Sequence, residues 1–199
     1  MWFWVADHDI DSAGQDMIDV FAGRSVLIES KGPTWVHSAS SEHAQMYQWQ
    51  FTGAENIYLG HIQSETPYYQ AGIKATEPYP TEQFVNDPTF SYCTNVESDS
   101  TGADTCLKAW ALRIINSNEI YVYGGGFYSF FKNYVDDCAR AAGADQCQQK
   151  LVDVSRSQWV WLYNIWTIGT TEIISPRLKR QVYPRFAPQM FWVLLTVSP

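Results

Sequence analysis

One recurring pattern limits the fold of this chain more than any bulk property does. It reads apolar-x-apolar, a five-letter spacer, then apolar-x-apolar, and it occurs four times. The copies are Ile18, Val20 with Val26, Ile28; Trp49, Phe51 with Ile57, Leu59; Leu112, Ile114 with Ile120, Val122; and Val152, Val154 with Val160, Leu162. Period-two alternation puts each apolar pair on one face of a strand, and the spacers "FAGRS", "TGAEN", "INSNE" and "SRSQW" carry turn-forming Gly, Asn or Ser. The copies begin at Ile18, Trp49, Leu112 and Val152, so a strand–turn–strand unit recurs with insertions of unequal length. Such a unit predicts stacked repeats, each covering the apolar face of the next. Hairpins of an antiparallel sandwich compete with this reading, but two-residue turn signals are scarce. Helical stretches are also few, "DCARAAGADQCQQKL" being the best short one. The expected fold is all-β: a parallel β-helix, a single-stranded solenoid with long disulfide-pinned loops.

Two insertions interrupt the stacking, over 66–106 and 132–150. Long ordered loops on a repetitive scaffold are usual places for functional groups. Each insertion holds a local cysteine pair, Cys93 with Cys106 and Cys138 with Cys147, and neither has the C-x₂-C spacing of a zinc site. Two loop-pinning disulfides and an extracellular setting are expected; four reduced structural thiols are the alternative. Residues 1–175 are expected to form one lobe, and the proline-rich, basic stretch 176–199 to be poorly ordered or foreign to the fold.

The net charge of −8 argues against nucleic acid and anionic membrane, both of which need a basic footprint. No apolar run is long enough to cross a bilayer, and "MWFWVADHDIDS" lacks the basic start of a signal peptide. Aromatic residues make up 16% of the chain, which suits both a β-rich core and the stacking of rings on sugars.

Several segments carry a resemblance. "MWFWVADHDID", "GRSVLIESKGPTWVHSASSEHAQMYQWQF", "NIYLGHIQSETPYYQ", "NDPTFSYC", "KAWALRIINSNEIYVYGGGFYSFFKNY" and "CQQKLVDV" resemble the second half of the fungal exo-β-1,3-glucanases of glycoside hydrolase family 55. These are two-lobed members of the pectate-lyase-like superfamily. The resemblance covers roughly residues 1–170, and the tail after "NIWTIGTTEIIS" departs from it. It implies two right-handed parallel β-helices side by side with the active site between them, this chain being the C-terminal lobe and its N-terminal lobe missing. It further implies secretion, inverting release of glucose from the non-reducing ends of β-1,3-glucan, and neither cofactor nor metal.

Inversion needs an acid for the departing oxygen and a group activating water on the opposite face, with carboxyls about 6.5–9.5 Å apart. By the resemblance, Glu65 in "QSETPYY" matches the general acid and Glu42 in "SSEHAQMYQ" the carboxylate that holds the water. Their separation along the chain suits one coil of a β-helix, which would place them at similar points on adjacent coils. A general acid must be protonated at working pH, so a raised pKa is expected for Glu65, with Tyr68, Tyr69 and Trp35 as its apolar wall. Trp4 and Asp9 are expected to touch sugar, with Trp35 as a platform. Strand alternation over "ADHDID" would put Asp7, Asp9 and Asp11 on one face and His8 on the other, with no second ligand set for a metal. His43 is expected opposite Glu42, which disfavours a serine-hydrolase arrangement. Trp49, Trp159 and Trp161 read as core or lateral packing, and the glycines of "YGGGFYSFF" as a tight corner or close stacking. Glu29 and Glu55 read as solvated or locally paired charges. Two other functions compete: a non-catalytic carbohydrate-binding or structural fragment, and a polysaccharide lyase, for which Arg24 and Arg113 offer little.

Overall fold

The computed structural model describes residues 1–93, 105–140 and 146–175, together with the backbone of 195–197. The alternating segments form β1 (Trp2–Trp4), β2 (Val26–Ile28), β3 (Thr34–Glu42), β4 (Tyr47–Thr52), β5 (Glu55–Glu65), β6 (Trp110–Ile115) and β7 (Asn118–Tyr128). After a single helical turn, α1 (Asp137–Arg140), come β8 (Gln148–Ser155), β9 (Gln158–Ile168), β10 (Thr170–Ile174) and β11 (Leu195–Val197). They make a six-stranded sheet, β1-β3-β5-β7-β9-β11, and a five-stranded one, β10-β8-β6-β4-β2. Every pairing is parallel except that of β11 with β9. The helical expectation for "DCARAAGADQCQQKL" is corrected: among its described residues only Asp137–Arg140 is helical, and Gln148 onward is strand. Apart from β11, the tail from 176 lies outside the described residues.

Pairing from β2 to β8 in one sheet advances by the same offsets as pairing from β3 to β9 in the other. Trp49 lies beside Leu112 and Leu112 beside Val152, just as Ile57 lies beside Ile120 and Ile120 beside Val160. The first repeat needs a correction. Val26 and Ile28 pair with Trp49 and Phe51, while Thr34 and Val36 pair with Ile57 and Leu59. The first step therefore runs from Val26 to Trp49 rather than from Ile18, and Ile18 and Val20 lie outside the strands, exposed. The polar letter of Thr34 hid the true slot, although a β-branched side chain suits a half-buried strand position.

Left-handed residues stack in the same way. Ser38, His61, Gly124 and Asn164 have φ of 51°, 54°, 82° and 53°. Register runs from His37–Gly60–Tyr123–Tyr163 directly to Ala39–Ile62–Gly125–Ile165, passing over all four. Each long strand of the six-stranded sheet therefore bends at the same level. Gly53, Asn116 and Arg156 repeat the device between the sheets, with φ of 58°, 49° and 50°. Asn56, Glu119 and Trp159 do so once more near the strand starts, at 57°, 56° and 53°. Inside, the alternating Trp49, Phe51, Ile57, Leu59, Leu112, Ile114, Ile120, Val122, Val152, Val154, Val160 and Leu162 form one buried cluster. Outside, Tyr121 stacks on Trp161 at 4.4 Å and Tyr123 on Tyr163 at 4.6 Å. These faces are turned on one another, so Trp161 packs laterally, while Trp49 is core and its indole donates to Gln63 O at 2.9 Å.

The insertions fall between β5 and β6 and between β7 and β8, and both disulfides, Cys93–Cys106 and Cys138–Cys147, are formed. Buried glutamines carry the loop backbone. Gln45 donates to Ala75 O at 2.9 Å, Gln70 to Gln45 O at 2.8 Å and Gln148 to Ala109 O at 2.7 Å. Under these loops Lys108, 1% exposed, donates to Phe131 O at 2.6 Å and Ser129 Oγ at 3.3 Å. Among the described residues no carboxylate pairs with it. Burial, with a smaller push from Lys132, draws its ammonium down to about 7.

Because that folded value lies below the unfolded one, Lys108 costs stability in full below pH 7 and ceases to do so above about 10.4. Lys108→Met is expected to raise stability by about 1–4 kcal/mol at pH 6, with a smaller gain at pH 9. Thermal melts at the two pH values check this, and a gain that is equal at both would contradict it. Gly169 has φ of +75°, and an added Cβ would stand 1.8 Å from Ser129 O. Gly169→Ala is accordingly expected to lose about 2 kcal/mol or more in the same melts.

Candidate functional site

The C-terminal ends of the long strands form two outward rows on the six-stranded sheet. One runs Trp2–Ser40–Gln63–Gly126–Trp166, the other Trp4–Glu42–Glu65–Tyr128–Ile168. The step from β3 to β5 thus sets Glu42 and Glu65 side by side on adjacent strands, about 4.8 Å apart along the backbone ladder. Glu42 is 6% exposed. Its Oε2 accepts the Trp2 indole N–H at 2.6 Å, and its Oε1 accepts the Ser40 hydroxyl. Glu65 keeps 17% of its side chain exposed. Its Oε2 accepts the Tyr68 hydroxyl at 2.8 Å, and its Oε1 the Gln63 amide at 3.2 Å. The stacked pair Trp2 and Trp4 flanks one side, with ring centroids 5.6 Å apart. Tyr128 flanks the other, its ring lying over the space that Gly126 leaves by lacking a Cβ.

Behind this row sits a charged group that the sequence did not announce. His43 follows β3 with φ of 66°, which swings its ring away from strand alternation. Its Nδ1 lies 2.9 Å from Asp7 Oδ1 and its Nε2 3.5 Å from Glu65 Oε2. Trp4 Nε1 stands 3.1 Å from the same Nδ1, which cannot donate to Asp7 and accept from an indole at once. Nδ1 therefore donates to the Asp7 carboxylate, whose buried charge has no water to lean on, rather than accepting from the indole. Asp7, fully buried, also receives His8 Nδ1 at 2.7 Å and the Tyr68 backbone N–H at 2.9 Å. The Tyr134 hydroxyl, from the second insertion, donates to the Asp7 carbonyl at 2.5 Å.

The electrostatics follow from this geometry. Burial pushes the His43 imidazole down, but Asp7 and Glu65 carry it up to about 9. Burial raises the Glu65 carboxyl, and His43 and then Tyr68 draw it back below the usual carboxylate range. Burial likewise raises Asp7, and His43, His8 and the Tyr68 N–H lower it beyond that. The raised pKa expected for Glu65 is therefore corrected: desolvation is present, but a cation behind the carboxylate outweighs it.

Other expected site residues disperse. Tyr68 is in the site, its ring stacked on His8 at 4.3 Å and tilted against Phe131 at 4.1 Å. Tyr69 is fully buried, edge-on to Phe21, and faces no solvent. Trp35, 65% exposed, stands near the opposite end of β3 from Glu42, about 20 Å up the strand. Trp4 joins the row. The strand reading of "ADHDID" fails because β1 ends at Trp4: Asp7 and His8 turn inward together, while Asp9 accepts from Asp11 N in an exposed turn. Asp7, His8 and His43 bring three ligand-type atoms within 4.8 Å of one another. Spacings of 2.7 and 2.9 Å are those of shared protons, shorter than the roughly 3.3 Å between ligands of a tetrahedral zinc. Glu55 pairs locally with Lys31 at 3.1 Å.

No protein-family model matches the chain. A probable glucan endo-1,3-beta-glucosidase of Arthroderma benhamiae is 40% identical over 174 residues, 87% of this chain and 18% of the relative. A glucan 1,3-beta-glucosidase of Cochliobolus carbonum is 34% identical over 177 residues, 87% of this chain and 21% of the relative. A protein of Penicillium expansum named a non-secreted LysM effector is 39% identical over 176 residues, 88% of this chain and 11% of the relative. The chain spans about a tenth to a fifth of the length of the curated relatives it matches. Over nearly nine-tenths of its length, it is similar to one segment of proteins of which one is named a probable glucan endo-1,3-beta-glucosidase and one a glucan 1,3-beta-glucosidase.

Proposed function

We propose that residues 1–175 are one β-helical lobe of a secreted β-1,3-glucan hydrolase of glycoside hydrolase family 55. The observation that carries this reading is the shared rung of Glu42 and Glu65, largely buried, hydrogen-bonded and flanked by Trp2, Trp4 and Tyr128. Parallel pairing at constant offsets and three levels of stacked left-handed residues support the β-helix. Two formed disulfides fit an oxidising, extracellular compartment. Glu65 serves as proton donor to the departing glycosidic oxygen, Glu42 helps hold the attacking water, and the ring faces of Trp2 and Trp4 bind sugar.

Glu42 and Glu65 occupy neighbouring positions of one sheet, so Glu42 reaches the water only from its own side of the sugar. Inversion needs groups on opposite faces, with room for water between them. The second face accordingly belongs to another lobe of a longer protein, which closes the cleft and restricts action to chain ends.

In the longer protein carrying this segment, Glu65→Gln is expected to lower glucose release from laminarin at least about 10²-fold, and Glu42→Gln by a comparable factor. The isolated chain is expected to release none. Retention of wild-type rates by Glu65→Gln would refute the acid assignment and favour a non-catalytic sugar-binding role. A product absorbing as a 4,5-unsaturated sugar would replace hydrolysis with lyase chemistry.

A further inference from the structure

We infer that His43, braced by Asp7, is the positioning residue that stores the proton Glu65 delivers. This rests on the hydrolase reading of the same site. It answers a difficulty raised by the geometry: a carboxylate facing an imidazolium, with a hydroxyl and an amide also donating to it, is held ionised and cannot by itself act as an acid.

His43 is 1% exposed, and its Nε2 has no hydrogen-bond partner, Glu65 Oε2 at 3.5 Å being the group it faces. A buried N–H aimed at a carboxylate without closing on it is a loosely held ion pair, and further loss of water disfavours both charges. The groups around the pair allow one proton to move between the two. Asp7 and His8 stand on the far side of His43, Trp4 and Tyr68 lie against its ring, and Tyr68 and Tyr128 border Glu65, with Glu42 next in the row. The Nδ1 proton stays on His43, donated to Asp7 throughout, so only the Nε2 proton is available.

When sugar displaces water from the rung, the Nε2–H bond breaks and an O–H bond forms on Glu65, leaving neutral His43 and a neutral carboxyl. Glu65 passes that proton to the glycosidic oxygen as its bond to the anomeric carbon breaks. Water gives its hydroxyl to that carbon and its remaining proton to the base side of the site, which releases it to solvent after product leaves, while the His43–Glu65 pair regains one proton from solvent. The ionisation that limits activity at high pH then belongs to the His43–Glu65 pair.

Two measurements test this. The chain has four histidines, so ¹⁵N-histidine labelling allows the rings to be titrated separately by NMR in the chain as it stands. The His43 ring is expected to titrate well above 7, and its midpoint to fall by more than about one unit, a tenfold change, in Glu65→Gln and again in Asp7→Asn. A midpoint that Glu65→Gln leaves unmoved overturns the inference, whatever the activity. In the longer protein, His43→Gln is expected to move the alkaline limb of kcat/KM for laminarin down by more than about one pH unit. KM should change little, and an aryl β-glucoside whose leaving group needs no protonation should keep its rate. An alkaline limb that stays in place or moves up overturns the storage role. Should the wild-type protein hydrolyse no glucan, the function and the delivery step both fail, while the NMR arm reports separately on the ion pair.

Discussion

Parallel pairing in strict register is the constraint on which the rest of this molecule depends. A slip of one residue would turn each strand's apolar set outward and its polar set in. The steps between repeats differ in length, yet each step is the same in the two sheets. The surplus length of the longer steps is expelled into the two insertions rather than absorbed as slippage. Left-handed residues fall at the same levels for the same reason. A bend at Ser38 that was not met by bends at His61, Gly124 and Asn164 would tear the ladder.

That register makes a rung of two glutamates, and a buried carboxylate behind the rung sets its chemistry. Asp7 is wholly inside, so it holds His8, His43 and the Tyr68 backbone around it. His43 in turn faces Glu65. One ionised group deep in the structure thus dictates the charge state of another, largely buried one on the sheet's outer row, through a single imidazole. The first insertion supplies Tyr68 and the second supplies Tyr134, with Phe131 just before it, so both loops close over this relay.

Much of this was legible in the chain. Three of the four apolar repeats fall on β4 through β9 as read, because fully buried aliphatic side chains leave an unambiguous period. Thr34 concealed the first repeat, since a residue at a strand start tolerates a hydroxyl that pattern-matching counts as polar. The pairing of Glu42 with Glu65 was legible from their separation once a coil length was assumed. The cysteines paired locally, as short separations allow. His43 was missed because alternation assumes extended backbone, and its positive φ breaks that assumption. Trp35 was drawn to the site by closeness in sequence to Glu42, yet the length of strand between them puts it at the far end.

Spacing along the chain was enough to specify most of the strand–turn–strand units, the places where insertions leave them and the nearness of the cysteines within each pair, and it matched the separation of Glu42 and Glu65 to one repeat. These features repeat or recur at fixed intervals, and intervals can be counted without coordinates. Folding was needed to bring Asp7, His43 and Glu65, distant along the chain, into one electrostatic line, and to hold Glu65 ionised rather than protonated. The reason is that a pKa belongs to the field of everything folded around a group, and that field exists only after loops and strands have met.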